Sequence, residues 1–183
     1  MRLFLGVEIP ESAKKTIRDA MLQIRDDYPE FFWIPEENYH LTVFFFGERS
    51  EERLNDVIEG IEQTLFDVDT SVLNIFGIKI FVKKDIAINV AFDRNKTLEL
   101  VHNRIIIEVG EQVPQKNDKY TPYTTIAKYK LPSKQQYFHL KKKLEKIKID
   151  TGFPLDTIHL YQSIEKKPFP EYRILHTFQL QQA

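Results

Sequence analysis

Two related lobes of mixed α and β structure are what this sequence predicts, and three observations lead there. Short strand-like runs alternate with amphipathic helical stretches along the whole chain. One strand pattern, a ring, then any residue, then threonine, occurs twice, as His40-Leu41-Thr42 and as Tyr123-Thr124-Thr125. Each copy runs on into apolar residues and then a helix that starts at a serine, which argues for an internal duplication with approximate two-fold symmetry. The expected fold class is therefore α+β and bilobal, with antiparallel sheets lining a central cleft and helices packed outside. All 183 residues are expected to form one domain.

Residues 1–9 read as a first buried strand, stopped by Pro10. Ser12 is expected to cap a helix that turns Ala13, Ile17, Ala20, Met21 and Ile24 to one face. Residues 31–34 form a short strand ended by Pro35, and residues 40–46 a second, largely buried one before Gly47-Glu48. Ser50 starts the next helix, with Leu54, Val57, Ile58, Ile61 and Leu65 on its core stripe. Residues 72–82 and 86–92 read as two strands joined at Lys83-Lys84-Asp85. Leu98, Val101 and Ile105 mark a third helix that stops at Gly110, and the polar stretch 111–118 is a loop. Ser133 caps a fourth helix that carries Tyr137, Leu140, Leu144 and Ile147 inward. Residues 154–161 and 172–180 close the chain as two strands joined by a loop holding Pro168 and Pro170.

Hydrophobic content of 42% with 29% charged residues is ordinary globular composition. With a net charge of −1, contact with nucleic acid has to rest on a local basic surface. The absence of cysteine excludes disulfides, thiolate metal sites and cysteine nucleophiles, and it fits a cytoplasmic setting. Apolar runs fall far short of the roughly 18 residues a membrane span needs. The stretch from Met1 to Pro10 is too brief for a secretory signal. A cytoplasmic monomer with no membrane partner is expected.

Residues two apart on a strand share a side, so His40 projects with Thr42 and Tyr123 with Thr125. A histidine beside a hydroxyl combines a proton carrier with a donor to an anionic oxygen. Two such pairs converging across a cleft suit a phosphodiester, the threonines holding non-bridging oxygens and the rings handling protons, with no metal or cofactor. His40 equally fits an ordinary histidine at a strand start, with Thr42 a sheet-forming neighbour. The histidines and carboxylates show no HExxH-like or facial-triad spacing, so no metal site is expected. His159 lies out of phase with Ile158 and Leu160 and reads as a surface residue or one reaching the cleft; His102, His139 and His176 read as structural or solvated. Lys134, Lys141, Lys142, Lys143, Lys146 and Lys148, with Lys119, Lys128 and Lys130 near by, form either a solvated helix face or a strip for an RNA backbone.

Residues 33–43, from Trp33-Ile34-Pro35 through His40-Leu41-Thr42-Val43, with Phe45-Phe46-Gly47-Glu48 after them, closely resemble the first motif of the 2H phosphoesterase superfamily. The branch they resemble is the RNA 2′,3′-cyclic phosphodiesterase family, also called 2′-5′ RNA ligase-like. The opening Met1-Arg2-Leu3-Phe4-Leu5-Gly6-Val7 is similar to that branch's amino terminus, and Thr121-Pro122-Tyr123-Thr124-Thr125-Ile126-Ala127-Lys128 aligns with its second motif. Ile158-His159-Leu160-Tyr161 and Tyr172-Arg173-Ile174-Leu175 match its ending, so the resemblance runs nearly end to end.

The resemblance implies a bilobal 2H phosphoesterase-like fold, and an RNA or nucleotide substrate ending in a 2′,3′-cyclic phosphate, opened to a 2′-phosphomonoester. It makes His40 a catalytic histidine and Thr42 and Thr125 phosphate-holding hydroxyls. Phe45 falls where the family has a base-stacking aromatic, and a buried core phenylalanine fits the same position. Lys128 stands where the family usually has arginine; it keeps the charge and loses the two-pronged grip. Tyr123 occupies the place of the second catalytic histidine. A phenol with a reference pKa of about 10 is a poor base near neutrality, yet it can donate a hydrogen bond or a proton. Reduced turnover is therefore expected. The rival expectations are a catalytically lapsed module that still binds a nucleotide or RNA end, and a protein-interaction role without a phosphate ligand.

Overall fold

The protein, seen here as a computed structural model that describes residues 1–108, 120–130 and 132–182, is built on two antiparallel sheets with four helices outside among the described residues. In chain order the elements are β1 (Arg2–Glu8), α1 (Glu11–Asp27), β2 (Phe32–Trp33), β3 (His40–Glu48), α2 (Leu54–Leu65), β4 (Ser71–Val82) and β5 (Asp85–Phe92). They continue as α3 (Lys96–Glu108), β6 (Tyr123–Lys130), α4 (Lys134–Leu144), β7 (Gly152–Leu155), β8 (Thr157–Ile164) and β9 (Glu171–Gln179). One sheet has the order β3-β1-β8-β9 and the other β2-β6-β5-β4-β7. The run β1-α1-β3-α2 recurs as β5-α3-β6-α4, and the order β3-β1-β8 matches β6-β5-β4, as the duplicated pattern predicts.

Alternation along each strand decides which face is core. Leu3, Leu5 and Leu41 in one sheet, and Ile86, Ile88, Val90 and Ile126 in the other, are fully buried, as are Leu98, Val101 and Ile105 on α3. The opposite faces carry the polar and ring-bearing side chains.

Four expectations need correction. Pro10, not Ser12, stands at the N-cap of α1: its extended backbone ends β1 and its carbonyl accepts from the amides of Ala13 and Lys14. Ser50 opens a 3-10 turn, Glu51–Arg53, without a side-chain cap, and α2 begins only at Leu54. The single strand expected over residues 154–161 is two: β7 pairs with β4 in one sheet and, after Asp156, β8 pairs with β1 in the other. A continuous alternating pattern conceals such a change of sheet because the backbone changes partner without changing phase. Ser133 does cap α4, in a capping box with Gln136, whereas Ile147 lies beyond the helix end. The expected stop at Gly110 and the loop 111–118 lie outside the described residues.

The chain passes between the sheets four times, on entering β2, β3, β4 and β8, and these crossings bring the motif strands together. Trp33 of β2 pairs with Ala127 of β6, and a few residues later the chain enters β3 at His40. Asp156 makes the last crossing, from β7 to β8. As a result β3 and β6 lie against each other where the sheets meet. β3 is an edge strand, so its outward carbonyls lack ladder partners; Thr42 O accepts from the Tyr120 hydroxyl at 3.0 Å and Val43 O from Nδ1 of His102 at 2.7 Å. Both donors come from the β5-α3-β6 half, so the edge is sealed by the other lobe.

Gly6 sits between Thr42 of β3 and His159 of β8, beneath the rings of Phe4 and Tyr161. A Cβ there would lie 2.8 Å from the backbone carbonyl oxygen of Leu41 and 3.3 Å from both rings. Gly6→Ala is therefore expected to destabilise the fold by about 1–3 kcal/mol, the usual scale for overpacking, read as a lower urea midpoint; an unchanged midpoint would refute the close-approach argument.

Candidate active site

The two motif strands share an irregularity that sets their side-chain directions. In β3 the register against β1 slips between the pairs Leu5↔Phe44 and Gly6↔Thr42, leaving Val43 as an extra residue. In β6 the register against β5 slips between Ile88↔Ala127 and Asn89↔Thr125, leaving Ile126 as the extra residue. Each bulge follows the threonine at once and restores phase for the side chain three positions beyond it. His40, Thr42 and Phe45 therefore share one face of β3, and Tyr123, Thr125 and Lys128 share one face of β6.

His40 is enclosed by rings. Its centroid is 4.8 Å from that of Phe4, 4.8 Å from that of Tyr172 and 6.1 Å from that of Tyr161. Nδ1 lies 2.8 Å from the carbonyl oxygen of Asn38. A carbonyl only accepts, so Nδ1 carries the proton and Nε2 keeps its lone pair. Desolvation by this apolar wall lowers the His40 pKa, only partly opposed by the bond to Asn38, and the neutral base is favoured. Burial raises the phenol pKa values of Tyr161 and Tyr172, so these neighbours stay protonated. Thr42 is exposed, and among the described residues its hydroxyl has no hydrogen-bond partner. Phe45 is 41% exposed rather than buried in the core, with the Arg2 guanidinium 5.1 Å from its ring centre.

The second half-site is more open. Tyr123 is 41% exposed and meets Phe81 edge-on at 4.9 Å. Asn89 on β5 is fully buried and donates its amide N–H to the carbonyl of Ala87 at 3.0 Å. Its Oδ1 thus faces β6 and accepts the Thr125 hydroxyl proton at 2.7 Å. Thr125 offers lone pairs, not its proton, to a ligand until that bond is exchanged. Lys128 is exposed and has no ion-pair partner among the described residues.

Residues 9–167 match the family described as the 2′-5′ RNA ligase superfamily. The chain belongs to that superfamily. An RNA 2′,3′-cyclic phosphodiesterase of Methanocaldococcus jannaschii is 28% identical over 189 residues, spanning 96% of this chain and 98% of the relative. Another of that name from Thermotoga maritima is 22% identical over 188 residues, spanning 99% and 96%. A crystal structure of a Thermus thermophilus protein superposes with a TM-score of 0.78 at 22% identity, covering 98% of both chains. Escherichia coli LigT in apo form does so with 0.73 at 16% identity, covering 98% and 96%. These likenesses show a shared fold, and the family drawn from the sequence motifs agrees with them.

Within this 2′-5′ RNA ligase superfamily chain, several neighbours of the motif residues escaped the sequence reading. Asn89 is the lone polar residue in the apolar run from Ile86 to Phe92, which was its available signal. Phe4 and Tyr161 face away from Leu3, Leu5 and Leu160 by simple alternation, but their stacking at 4.9 Å is a tertiary fact. His159 corrects the expectation of a surface residue: it is 8% exposed, with Nδ1 3.0 Å from the Thr177 hydroxyl and its ring 5.8 Å from that of Tyr161. His102 is structural, whereas His176 lies 3.4 Å from Glu62 and His139 is an exposed residue of α4. On α4, Lys143 pairs with Asp27 at 2.6 Å and Lys141 with Glu145 at 3.8 Å, so the basic run is partly neutralised; Lys146 and Lys148 lie past the helix and Lys119 outside the described residues.

Nitrogen-15 NMR of labelled histidine is expected to show His40 as the Nδ1–H tautomer at neutral pH. Its midpoint should fall below the reference value of about 6.5, because the lowered pKa keeps the ring neutral as pH drops through that value. A midpoint above about 6.5 would mean that the apolar wall does not govern this ring.

Proposed function

We propose that the chain is an RNA 2′,3′-cyclic phosphodiesterase that hydrolyses a cyclic phosphate at an RNA or nucleotide end to a 2′-phosphomonoester. The observation that carries this reading is His40: a neutral imidazole whose tautomer is held by Asn38 and whose Nε2 is left as a base. Its place beside Thr42 in a chain related over nearly its whole length to phosphodiesterases of this name supports the reading.

In the proposed reaction a water oxygen attacks phosphorus as the bond from phosphorus to O3′ breaks. His40 Nε2 takes the water proton and the Tyr123 phenol gives its proton to the departing O3′; the imidazolium and phenolate then exchange a proton through solvent. Lys128 neutralises phosphate charge, and Phe45 offers a face to the base, a contact worth about 1–3 kcal/mol. The protein would act as a cytoplasmic monomer; among the described residues no helix is long and apolar enough to cross a membrane.

A second reading is favoured by Tyr123: a module that binds the nucleotide or RNA end without turnover. Assay of a 2′,3′-cyclic nucleotide separates the two. The hydrolase reading expects native turnover, a loss of about 10²–10⁴-fold in His40→Ala, the usual worth of general acid–base help, and a gain in Tyr123→His. Nucleotide binding without native turnover would establish the binding module.

The two threonines should contribute unequally. A hydrogen bond to a charged group is worth about 1.5–3 kcal/mol net. Thr42 has no competing partner among the described residues, whereas Thr125 must release Asn89 and leave a buried oxygen unsatisfied, at a cost of about 1–3 kcal/mol. Thr42→Val is expected to lower kcat/KM by about 10–100-fold and Thr125→Val by less than about 10-fold. Equal losses would show that the Asn89 bond does not hold Thr125 back.

A further inference from the structure

Beside the His40 enclosure, under the loop between β8 and β9, lies a groove of ≈ 490 Å³ whose walls include Arg2, Glu165, Lys166, Lys167, Pro170 and Tyr172. Its position relative to His40 is set by named contacts. Tyr172 is a wall shared by both, standing edge-on to the His40 ring at 4.8 Å. Asn38, whose carbonyl orients His40, also donates its amide to the carbonyl of Pro170 at 2.9 Å. Phe169 of the same loop meets Phe32 of β2 at 4.4 Å, tying the loop to the other lobe. Arg2, another lining residue, lies over Phe45.

The charge of the lining is specific. Arg2, Lys166 and Lys167 face one lining carboxylate, Glu165, which lies 3.7 Å from Arg2. Lys166 shares Glu171, which lies outside the lining, with Arg173. Lys167 has no ion-pair partner among the described residues. A positive groove on a chain of net charge −1 is a local arrangement. Its volume lies within the range of about 300–1,000 Å³ typical of pockets for whole small molecules. It has room for a nucleotide unit and not merely for a phosphate ion.

We infer that this groove holds the nucleotide immediately 5′ to the cyclic-phosphate end, with Lys166 and Lys167 against its phosphodiester and Tyr172 against its sugar or base. The inference rests on the proposed hydrolase reading and adds a subsite built from this chain's own residues: it favours an oligoribonucleotide over a cyclic mononucleotide, which leaves the groove empty. Arg2 joins the two binding regions, since it covers Phe45 and lines the groove.

The test compares kcat/KM for a tetraribonucleotide ending in a 2′,3′-cyclic phosphate with that for a 2′,3′-cyclic mononucleotide, in the native chain and in Lys166→Gln/Lys167→Gln. The native ratio of oligomer to mononucleotide is expected to exceed one, and to fall by about 3- to 10-fold in the double variant, as when partly exposed charge pairs are removed. The salt dependence of oligomer binding should become shallower by about 0.7 in log–log slope for each phosphate that the double variant no longer neutralises. An unchanged ratio, or equal losses on both substrates, would overturn the inference. If the native chain turns over neither substrate, the hydrolase reading fails and fluorescence anisotropy of the labelled tetramer decides the groove. Weaker binding by the double variant then sustains it, and an unchanged Kd refutes it.

Discussion

One extra residue placed directly after each motif threonine governs which side chains share a face with His40 and with Tyr123. Val43 in β3 and Ile126 in β6 are left out of their ladders, and each shifts the strand by one position. Strict alternation would turn the side chain three beyond the threonine into the core; the bulge turns Phe45 and Lys128 outward instead. The carbonyls of both extra residues are taken up, Val43 O by His102 and Ile126 O by the amide of Ile34 at 2.9 Å. In each case the donor belongs to a segment that ties the motif strand to the other lobe or the other sheet. The irregularity that aims the site is therefore held by the same contacts that fasten the lobes together.

Duplication supplied two equivalent frames, and packing then made them chemically different. The first encloses an imidazole in rings, keeps it neutral and leaves its threonine unpartnered among the described residues. The second leaves a phenol half in solvent and commits its threonine to a buried asparagine. The proposed reaction assigns proton abstraction and oxyanion binding to the first frame, and proton donation with charge neutralisation to the second.

Much of this was legible in the residues. The periodicity of α1 to α4, the hairpin at Lys83-Lys84-Asp85, the repeated ring-x-Thr strands and the family itself follow from local pattern. Features that depend on the partner of a strand were not legible: the sheet change at Asp156, the bulges that expose Phe45, and the burial of His159 between Thr157 and Thr177. Capping was legible only where a side chain makes the bond, as Ser133 does with Gln136; at α1 a proline backbone fills the place that Ser12 was expected to take.

Charge shows the same limit from another side. The sequence places its densest cations on α4, yet Lys143 is drawn against Asp27 and the Tyr28 ring, and Lys141 reaches Glu145. Arg2, Lys128, Lys166 and Lys167 are scattered along the chain and form no recognisable run. Folding brings Arg2 over Phe45, sets the lysine pair on a loop anchored through Asn38 to the His40 carbonyl partner, and leaves Lys128 and Lys167 without ion pairs among the described residues. Attraction for a polyanion follows unneutralised charge and its distance from the reacting atom, not the number of lysines in a stretch. For this chain, Lys128 and Lys167 are cations that local charge density passes over, without ion pairs among the described residues.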